Sequence, residues 1–156
     1  MGNLGDLFPE NQIQQFINNH LKPGCVIRIE VTFQHLTKPK YLVLAADNDQ
    51  EYLTFIINSE THPFIANREP LAKCQVDIDA TDHPFLDHDS KIACHEVLLL
   101  KRSDVIKEIK QDTGKIKGRV SDRVMSQIVS AVKFAKTLSP DIKATILASL
   151  DNHNEY

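Results

Sequence analysis

The fold of this chain follows from one stretch of sequence, KPKYLVLAA (residues 38–46), DNDQE (47–51) and YLTFIINS (52–59). The runs 41–46 and 52–57 are rich in β-branched and aromatic residues, which favour strands. The polar segment 47–51 between them tolerates the left-handed backbone conformations of a tight connection. The pattern therefore predicts a β-hairpin with two largely buried strands.

The open end of this hairpin carries polar groups of several kinds. KPK (38–40) enters the first strand, and NSETH (58–62) leaves the second. Because an antiparallel pair brings these ends together, we expect ammonium, amide, hydroxyl and imidazole groups on one patch of surface. The residues that supply them are Lys38, Lys40, Asn58, Ser59, Thr61 and His62.

Length and composition indicate one globular domain. The chain has 156 residues, of which 42% are hydrophobic and 25% charged, so it can enclose one core but not two independent ones. No apolar run approaches the about 18 residues of a membrane span. Residues 1–7 lack the basic start and apolar core of a signal peptide. We therefore expect a soluble cytoplasmic protein without a membrane partner.

Cysteine and histidine usage bears on redox state and metal binding. The cysteines Cys25, Cys74 and Cys94 form an odd set without C-x-x-C spacing, which predicts reduced, buried thiols. A zinc site is the competing interpretation, with ligands drawn from His62, Cys74, His83, His88, Cys94 and His95. Their spacing matches no zinc signature, so we expect neither a metal nor another cofactor.

The net charge of -3 conceals an asymmetry between two parts of the chain. Residues 101–138 contain ten Lys or Arg and four Asp or Glu, a balance of +6. The rest of the chain holds 8 basic and 17 acidic residues, a balance of -9. A basic block can contact a phosphate backbone or form a solvated helix face. The acidic remainder argues against broad non-specific binding of nucleic acid.

Apolar periodicity predicts the other elements. A helix is expected over residues 9–21, a strand over 25–33, a loop over 34–37, and further strands over 74–78 and 91–100. Helices are expected from the N-cap Ser103 to Gly114, from the N-cap Ser121 to residue 138, and from Ser139-Pro140 onward.

Five or six short strands followed by helices predict an α+β fold, a small barrel with helices packed against it. We expect a single domain over residues 1–156. Its parts are an N-terminal helical extension (1–22), the barrel (23–100) and a helical C-terminal part (101–150).

Five segments in this order resemble motifs of the PemK/MazF toxin family. They are KPGCVI (22–27), KPKYLVL (38–44), INS (57–59), SKIACHEV (90–97) and KGRVS (117–121). The family counterparts are a Lys/Arg-Gly-x-Ile/Val strand, an Arg-Pro-x-Val-Val-Leu strand, a Pro-x-Thr-Ser strand end, a Ser-x-Val-x-Cys-Asp-Gln-Val strand and an Ile-Gly-x-Leu-Ser helix entry. The resemblance covers residues 22 to about 138 and implies an SH3-like barrel.

The resemblance implies a metal-independent endoribonuclease, without a cofactor, that cleaves single-stranded RNA by attack of the ribose 2′-OH on the adjacent phosphorus. It also implies a homodimer and inhibition by a cognate antitoxin protein. Such chemistry needs acid and base groups, and cations or donors around the phosphorane. The candidate catalytic residues are Lys38 or Lys40, Ser59, and His35 or His95, and the candidate substrate-binding residues are Asn58, Thr61 and His62.

Departures from the family pattern at Lys38, where the family has Arg, and at Asn58, Ala93 and His95 keep a second function open. Some members carry an Arg and an Asp on either side of the late-strand Cys, as acid and base, where this chain has Ala93 and His95. Asn58 stands where the family has Thr. A barrel that keeps the fold without the chemistry would serve as a protein- or RNA-binding module. Ala93 favours this alternative, and the cationic, hydroxyl-bearing hairpin edge favours the ribonuclease.

Overall fold

The structure, a computed structural model, describes residues 10–33, 35–59 and 68–154. In order, the described elements are α1 (Glu10–His20), β1 (Cys25–Phe33), β2 (Leu36–Asp47), β3 (Glu51–Asn58), α2 (Glu69–Ala72), β4 (Gln75–Ile78), β5 (Ser90–Ala93), β6 (Leu98–Lys101), α3 (Arg102–Gln111), a 3-10 turn (Thr113–Lys115), β7 (Ile116–Arg119), α4 (Asp122–Phe134) and α5 (Pro140–Asn154). Among these helices none has the length and apolarity that crossing a membrane requires.

The strands form one curled sheet, a half-barrel with antiparallel pairing between the described strands. The strand order is β4-β5-β3-β2-β1-β7, and β6 also pairs with β3. β5 and β6 share one edge of β3, because β5 pairs with Ile57 and Asn58 whereas β6 pairs with residues 51–54. This arrangement confirms the predicted α+β class.

Helices cover both faces of the sheet, which explains why its strands are apolar on both sides. In β1, Val26 belongs to a core cluster with α4 and α5, whereas Ile27 and Ile29 belong to a second cluster with α1 and α3. The helix residues of the first cluster include Val124, Ile128, Val132, Ile146 and Leu150, and those of the second include Ile17, Val105 and Ile109. The open end of the hairpin stays outside both clusters, with Lys38, Pro39 and Ser59 exposed.

The predicted hairpin is confirmed. β2 and β3 pair from Tyr41 opposite Ile57 to the turn. The Asn48 side chain organises that turn, because its Oδ1 accepts hydrogen bonds from the backbone N–H groups of Gln50 (2.9 Å) and Glu51 (2.8 Å). The polar turn residues therefore act as the sequence predicts, through a side chain that replaces a backbone acceptor.

The loop predicted over residues 34–37 is wrong, because β2 already begins at Leu36. The lysines of KPK thus lie within a strand, where Lys38 pairs with Val31 and Lys40 with Ile29 of β1. Pro39 is tolerated between them because β3 has ended at Asn58, which leaves this part of β2 at an edge of the sheet.

Two further strand predictions are wrong. The single strand predicted over 91–100 is divided into β5 and β6, which pair with different parts of β3. The C-terminal part predicted to be helical contains β7, which pairs with residues 25–27 of β1. The tetrapeptide IKGR carries little strand signal of its own. It becomes a strand because the free edge of β1 offers it a partner.

The prediction of α1 is confirmed, and so are two of the three predicted N-caps. The third predicted N-cap is wrong. Ser121 Oγ accepts the Val124 N–H at 3.2 Å, and Ser139 Oγ accepts the Ile142 N–H at 3.3 Å. The predicted cap Ser103 instead lies inside α3, which begins at Arg102 and ends at Gln111. Continuation of the chain directly from β6 places the start of α3 before Ser103.

The three cysteines are free and buried, as the sequence predicts. Burial raises the pKa of the Cys25 thiol to about 11, an effect that nearby Arg119 only partly offsets. Burial also raises the pKa of Cys74 and Cys94. Such thiols stay protonated near neutral pH and pack as small apolar groups.

Candidate functional site

An open cavity of about 350 Å³ lies between the hairpin end and the chain that precedes β5. We call it cavity A, and its lining residues are Pro39, Lys40, Tyr41, Ile57, Asn58, Ser59, Leu86, Asp87, His88 and Ser90. The hairpin register explains its first wall. Because Tyr41 pairs with Ile57, the next residues outward are Lys40 and Asn58, and Ser59 follows. A cation and an amide on one face of the strand pair, and a hydroxyl just beyond it, therefore lie at one strand end.

A second cavity, cavity B, adjoins the same strand end with a volume of about 650 Å³. Its lining residues are Thr32, Phe33, Leu36, Lys38, Lys40, Ile56 and Asn58. Lys40 and Asn58 line both cavities. Side chains two residues apart on a strand share a face, so Lys38 and Lys40 place two ammonium groups on one side of this end of the sheet.

The opposite wall of cavity A comes from the 79–89 loop, which joins β4 to β5. Four hydrogen bonds close this loop on itself: Ala80 N–H to Asp89 Oδ1 (2.9 Å), Asp82 N–H to Asp79 Oδ2 (3.1 Å), Leu86 N–H to His83 O (3.0 Å) and Ser90 Oγ to His88 O (3.0 Å). A loop tied at so many points holds the side chains it presents in a defined place.

His83 attaches the 79–89 loop to α4. Its side chain is fully buried, and its Nε2 accepts the backbone N–H of Ser121 at 3.0 Å. Its Nδ1 lies 2.9 Å from the Asp79 carbonyl oxygen. Since Nε2 accepts, Nδ1 carries the proton, and the neutral ring satisfies both nitrogens. His83 is therefore a structural residue that holds the loop against the N-terminus of α4.

Asp79 adds an ion pair between the 79–89 loop and α4. The backbone N–H of Asp82 donates to its carboxylate, which lowers the pKa of Asp79, and burial partly opposes that effect. The Arg123 guanidinium of α4 donates to Asp79 Oδ1 at 3.1 Å and lowers the pKa further.

Tyr41 joins the hairpin to the 79–89 loop across the floor of cavity A. Its hydroxyl donates to the Phe85 carbonyl at 3.2 Å, and the two ring centroids are 6.5 Å apart. The Arg28 guanidinium lies 5.7 Å from the centroid of the Tyr41 ring.

At Gly118, a Cβ atom would come within 3.0 Å of the Phe85 ring, so the absence of a side chain there makes room for Phe85.

The structure brings together four of the residues that the sequence singles out, Lys38, Lys40, Asn58 and Ser59. His35 is exposed in the turn between β1 and β2, outside the linings of cavities A and B. Thr61 and His62 lie outside the described residues.

His95 lies in the turn after β5 and outside the linings of both cavities. Gln75 Nε2 donates to its Nδ1 at 3.0 Å, and its Nε2 is 3.9 Å from the Glu96 carboxylate. Burial lowers the pKa of His95, although Glu96 opposes the shift. These contacts hold the ring beside β4.

Sequence reasoning missed His88 and Asp87 as site residues, although both line cavity A. From the sequence alone, His88 is considered only as a possible zinc ligand. The signal that could have found it is its position just before β5, because the pairing of Lys91 with Asn58 brings the start of β5 beside the end of β3.

Ala93 is a buried residue of β5, paired with Gln75 of β4. The cation nearest to it on the same strand face is Lys91. Lys91 Nζ donates to the Asp77 carboxylate, so an acidic partner already engages this charge.

In the ranges that the structure describes, no group of three or more His, Cys, Asp or Glu side chains is arranged to hold a metal ion. The groups around cavity A offer charge, hydrogen bonds and proton transfer. Comparison with protein-family models and with curated protein sequences finds no match for this chain.

Proposed function

We propose that this protein is a metal-independent endoribonuclease of the PemK/MazF type, with an SH3-like barrel, that cleaves single-stranded RNA. The observation that carries the proposal is the meeting of Lys40, Asn58 and Ser59 in cavity A, with Lys38 in the adjoining cavity B. These residues lie in segments that resemble the toxin motifs, although Lys38 replaces the family's Arg and Asn58 its Thr, and the pairing of β2 with β3 makes them neighbours.

In the proposed reaction, Lys40 neutralises the scissile phosphate and the charge that grows on its oxygens. Asn58 and Ser59 donate hydrogen bonds to the same oxygens. Donors fixed before the reaction are the usual source of such stabilisation. Lys38 contacts a neighbouring phosphate from cavity B, which would set the direction of the RNA strand. A lysine lacks the bidentate fork of arginine, so the amide and hydroxyl orient the phosphate.

The proposal includes partners that the resemblance implies. These are single-stranded RNA, a cognate antitoxin and a second copy of the chain in a homodimer, in the cytoplasm.

The test is incubation of the purified protein with single-stranded RNA in EDTA. We expect fragments that end in a 2′,3′-cyclic phosphate and begin with a 5′-OH, because the 2′-OH displaces the 5′ oxygen. A strand with 2′-deoxyribose at the cleaved position is the matched control and should stay intact. Intact RNA between about pH 5 and pH 8, the range over which histidine titrates, contradicts the proposal.

A second function, a binding module without catalysis, is favoured by Ala93. Its short, buried side chain supplies neither the charge nor the donors of the family's arginine. This function predicts that RNA or a protein partner binds at the hairpin end while RNA stays intact in the same assay.

A further inference from the structure

We propose that His88 is the group that takes the proton from the ribose 2′-OH, an inference that rests on the proposed ribonuclease function. The reaction needs a base near neutral pH, and an imidazole is the side chain best suited to it. The hypothesis replaces His35 and His95, which the sequence alone suggests, with a histidine that the fold brings to the phosphate-binding residues.

Position is the first argument. His88 lines cavity A together with Lys40, Asn58 and Ser59. His35 and His95 are outside that lining, and Gln75 occupies the His95 Nδ1. His83 belongs to the same loop but is buried with both ring nitrogens engaged. A base must reach the proton it abstracts directly or through one water, and His88 is the histidine of the described chain that shares a cavity with the candidate phosphate site.

Rigidity of the surrounding backbone is the second argument. On one side of His88, the Phe85 carbonyl accepts the Tyr41 hydroxyl and the Leu86 N–H donates to His83 O. On the other side, Ser90 Oγ donates to the His88 carbonyl. The loop thus fixes the main chain on both sides of an exposed imidazole, which is the arrangement of a side chain held ready for a substrate.

Charged and titratable groups from two elements line cavity A beside the imidazole. Lys40 and Tyr41 come from β2, and Asp87 comes from the loop. β3 contributes the uncharged Ile57 and Asn58, and Ser59 follows it. Asp89, the residue after His88, already accepts a hydrogen bond from the Ala80 N–H.

The step balances without a metal or a co-reactant. His88 takes the 2′-OH proton as the 2′ oxygen bonds to phosphorus, and Lys40 neutralises the phosphorane charge. The bond from phosphorus to the 5′ oxygen breaks, and this oxygen takes a proton from water in the open cavity. The products are a 2′,3′-cyclic phosphate and a 5′-OH, and His88 returns its proton to solvent.

The experiment compares His88→Ala and His88→Gln with the wild type in single-turnover cleavage of single-stranded RNA across pH 5 to 8. We expect the rate to fall about 100- to 10,000-fold, the contribution of a general base. The rise of the rate through about pH 6 to 7 should disappear, and added imidazole should restore part of the activity of His88→Ala. Binding of the uncleavable 2′-deoxy strand should stay unchanged. His20→Ala, at an exposed histidine in the last turn of α1, is the matched control.

Outcomes for this inference and for the proposed function are separable. If the wild type cleaves RNA and His88→Ala cleaves it at a similar rate with the same pH profile, His88 is not the base and the ribonuclease proposal stands. A loss of this size in His35→Ala or His95→Ala instead also overturns the assignment. If the wild type cleaves no RNA, both proposals fall. His88→Gln keeps the size of the side chain, so a folded but inactive variant excludes loss of structure as the cause.

Discussion

The β2–β3 hairpin and the 79–89 loop build opposite walls of cavity A by different means. The hairpin delivers Lys40, Asn58 and Ser59 through a register that neighbouring strands set between themselves. The loop delivers His88 only because distant partners hold it, Ser121 at 38 residues from His83 and Tyr41 at 44 residues from Phe85. Site residues on a hairpin can be predicted from the sequence, because neighbouring strands bring them together. Site residues on a loop that distant residues hold in place cannot.

On the hairpin side, a large effect on the reaction rate is expected at Lys40. Lys40→Ala should lower the single-turnover rate of RNA cleavage about 100- to 1,000-fold, the usual loss for one transition-state donor. The free energy of unfolding should barely change, because exposed and half-exposed side chains contribute little to it. Lys107→Ala, an exposed lysine of α3, controls for the loss of one positive charge. Equal rates in the two variants would remove Lys40 from the mechanism.

On the loop side, the expected effect is on stability. His83→Ala leaves the Ser121 N–H and the Asp79 carbonyl without a partner and opens a space in the fold, so we expect the free energy of unfolding to fall by about 2 to 4 kcal/mol. For a domain of this size, each kcal/mol corresponds to about 2 to 4 °C in Tm. His88→Ala, five residues along the same loop, should leave Tm unchanged. Similar Tm values for both variants would show that His83 does not hold the loop.

Tyr41→Phe removes one hydrogen bond between the hairpin and the 79–89 loop. It removes the donor to the Phe85 carbonyl and keeps the ring, so we expect a loss of about 0.5 to 1.5 kcal/mol in the free energy of unfolding. Urea unfolding measures this loss, and Tyr52→Phe is the control, a buried tyrosine outside cavity A. A loss at Tyr41 no larger than the spread between repeats would mean that the hairpin and the loop are held independently.

The smallest effect is a pH dependence at Asp79. Its pKa is lowered in the folded protein by hydrogen bonds from the Asp82 N–H and from Arg123, so it stabilises the fold above its unfolded pKa of about 3.9. That contribution disappears as pH falls through the folded value. Wild type should therefore be more stable than Asp79→Asn at pH 7, and the difference should shrink below about pH 4. A difference that is constant from pH 7 to pH 3 would assign it to something other than this charge.

Local signals account for the parts of the fold that the sequence predicts. The β-branched and aromatic runs of residues 41–46 and 52–57 predict the hairpin, and hydroxyl side chains before apolar stripes predict the caps at Ser121 and Ser139. The wrong predictions have a common origin. β7 is a strand because β1 has a free edge, and the 91–100 segment divides because β3 offers it two separate places to pair.

The candidate site follows the same rule. Lys38, Lys40, Asn58 and Ser59 were predictable as a group because the hairpin alone makes them neighbours. The sequence favours His35 and His95 because of their position along the chain, but that position does not show what surrounds an imidazole in the fold. His88 could not be preferred to them without the pairing of β3 with β5 and the bonds that hold its loop.

The most direct test of the central claim, that both walls form one catalytic site, is a double-mutant cycle in single-turnover RNA cleavage. Residues that act as a unit are strongly non-additive, so Lys40→Ala/His88→Ala should be about as slow as the slower of the two single variants. The Lys107→Ala/His88→Ala pair should show no such coupling. If the losses at Lys40 and His88 multiply in full, the two side chains act independently and the claim of a single site is contradicted.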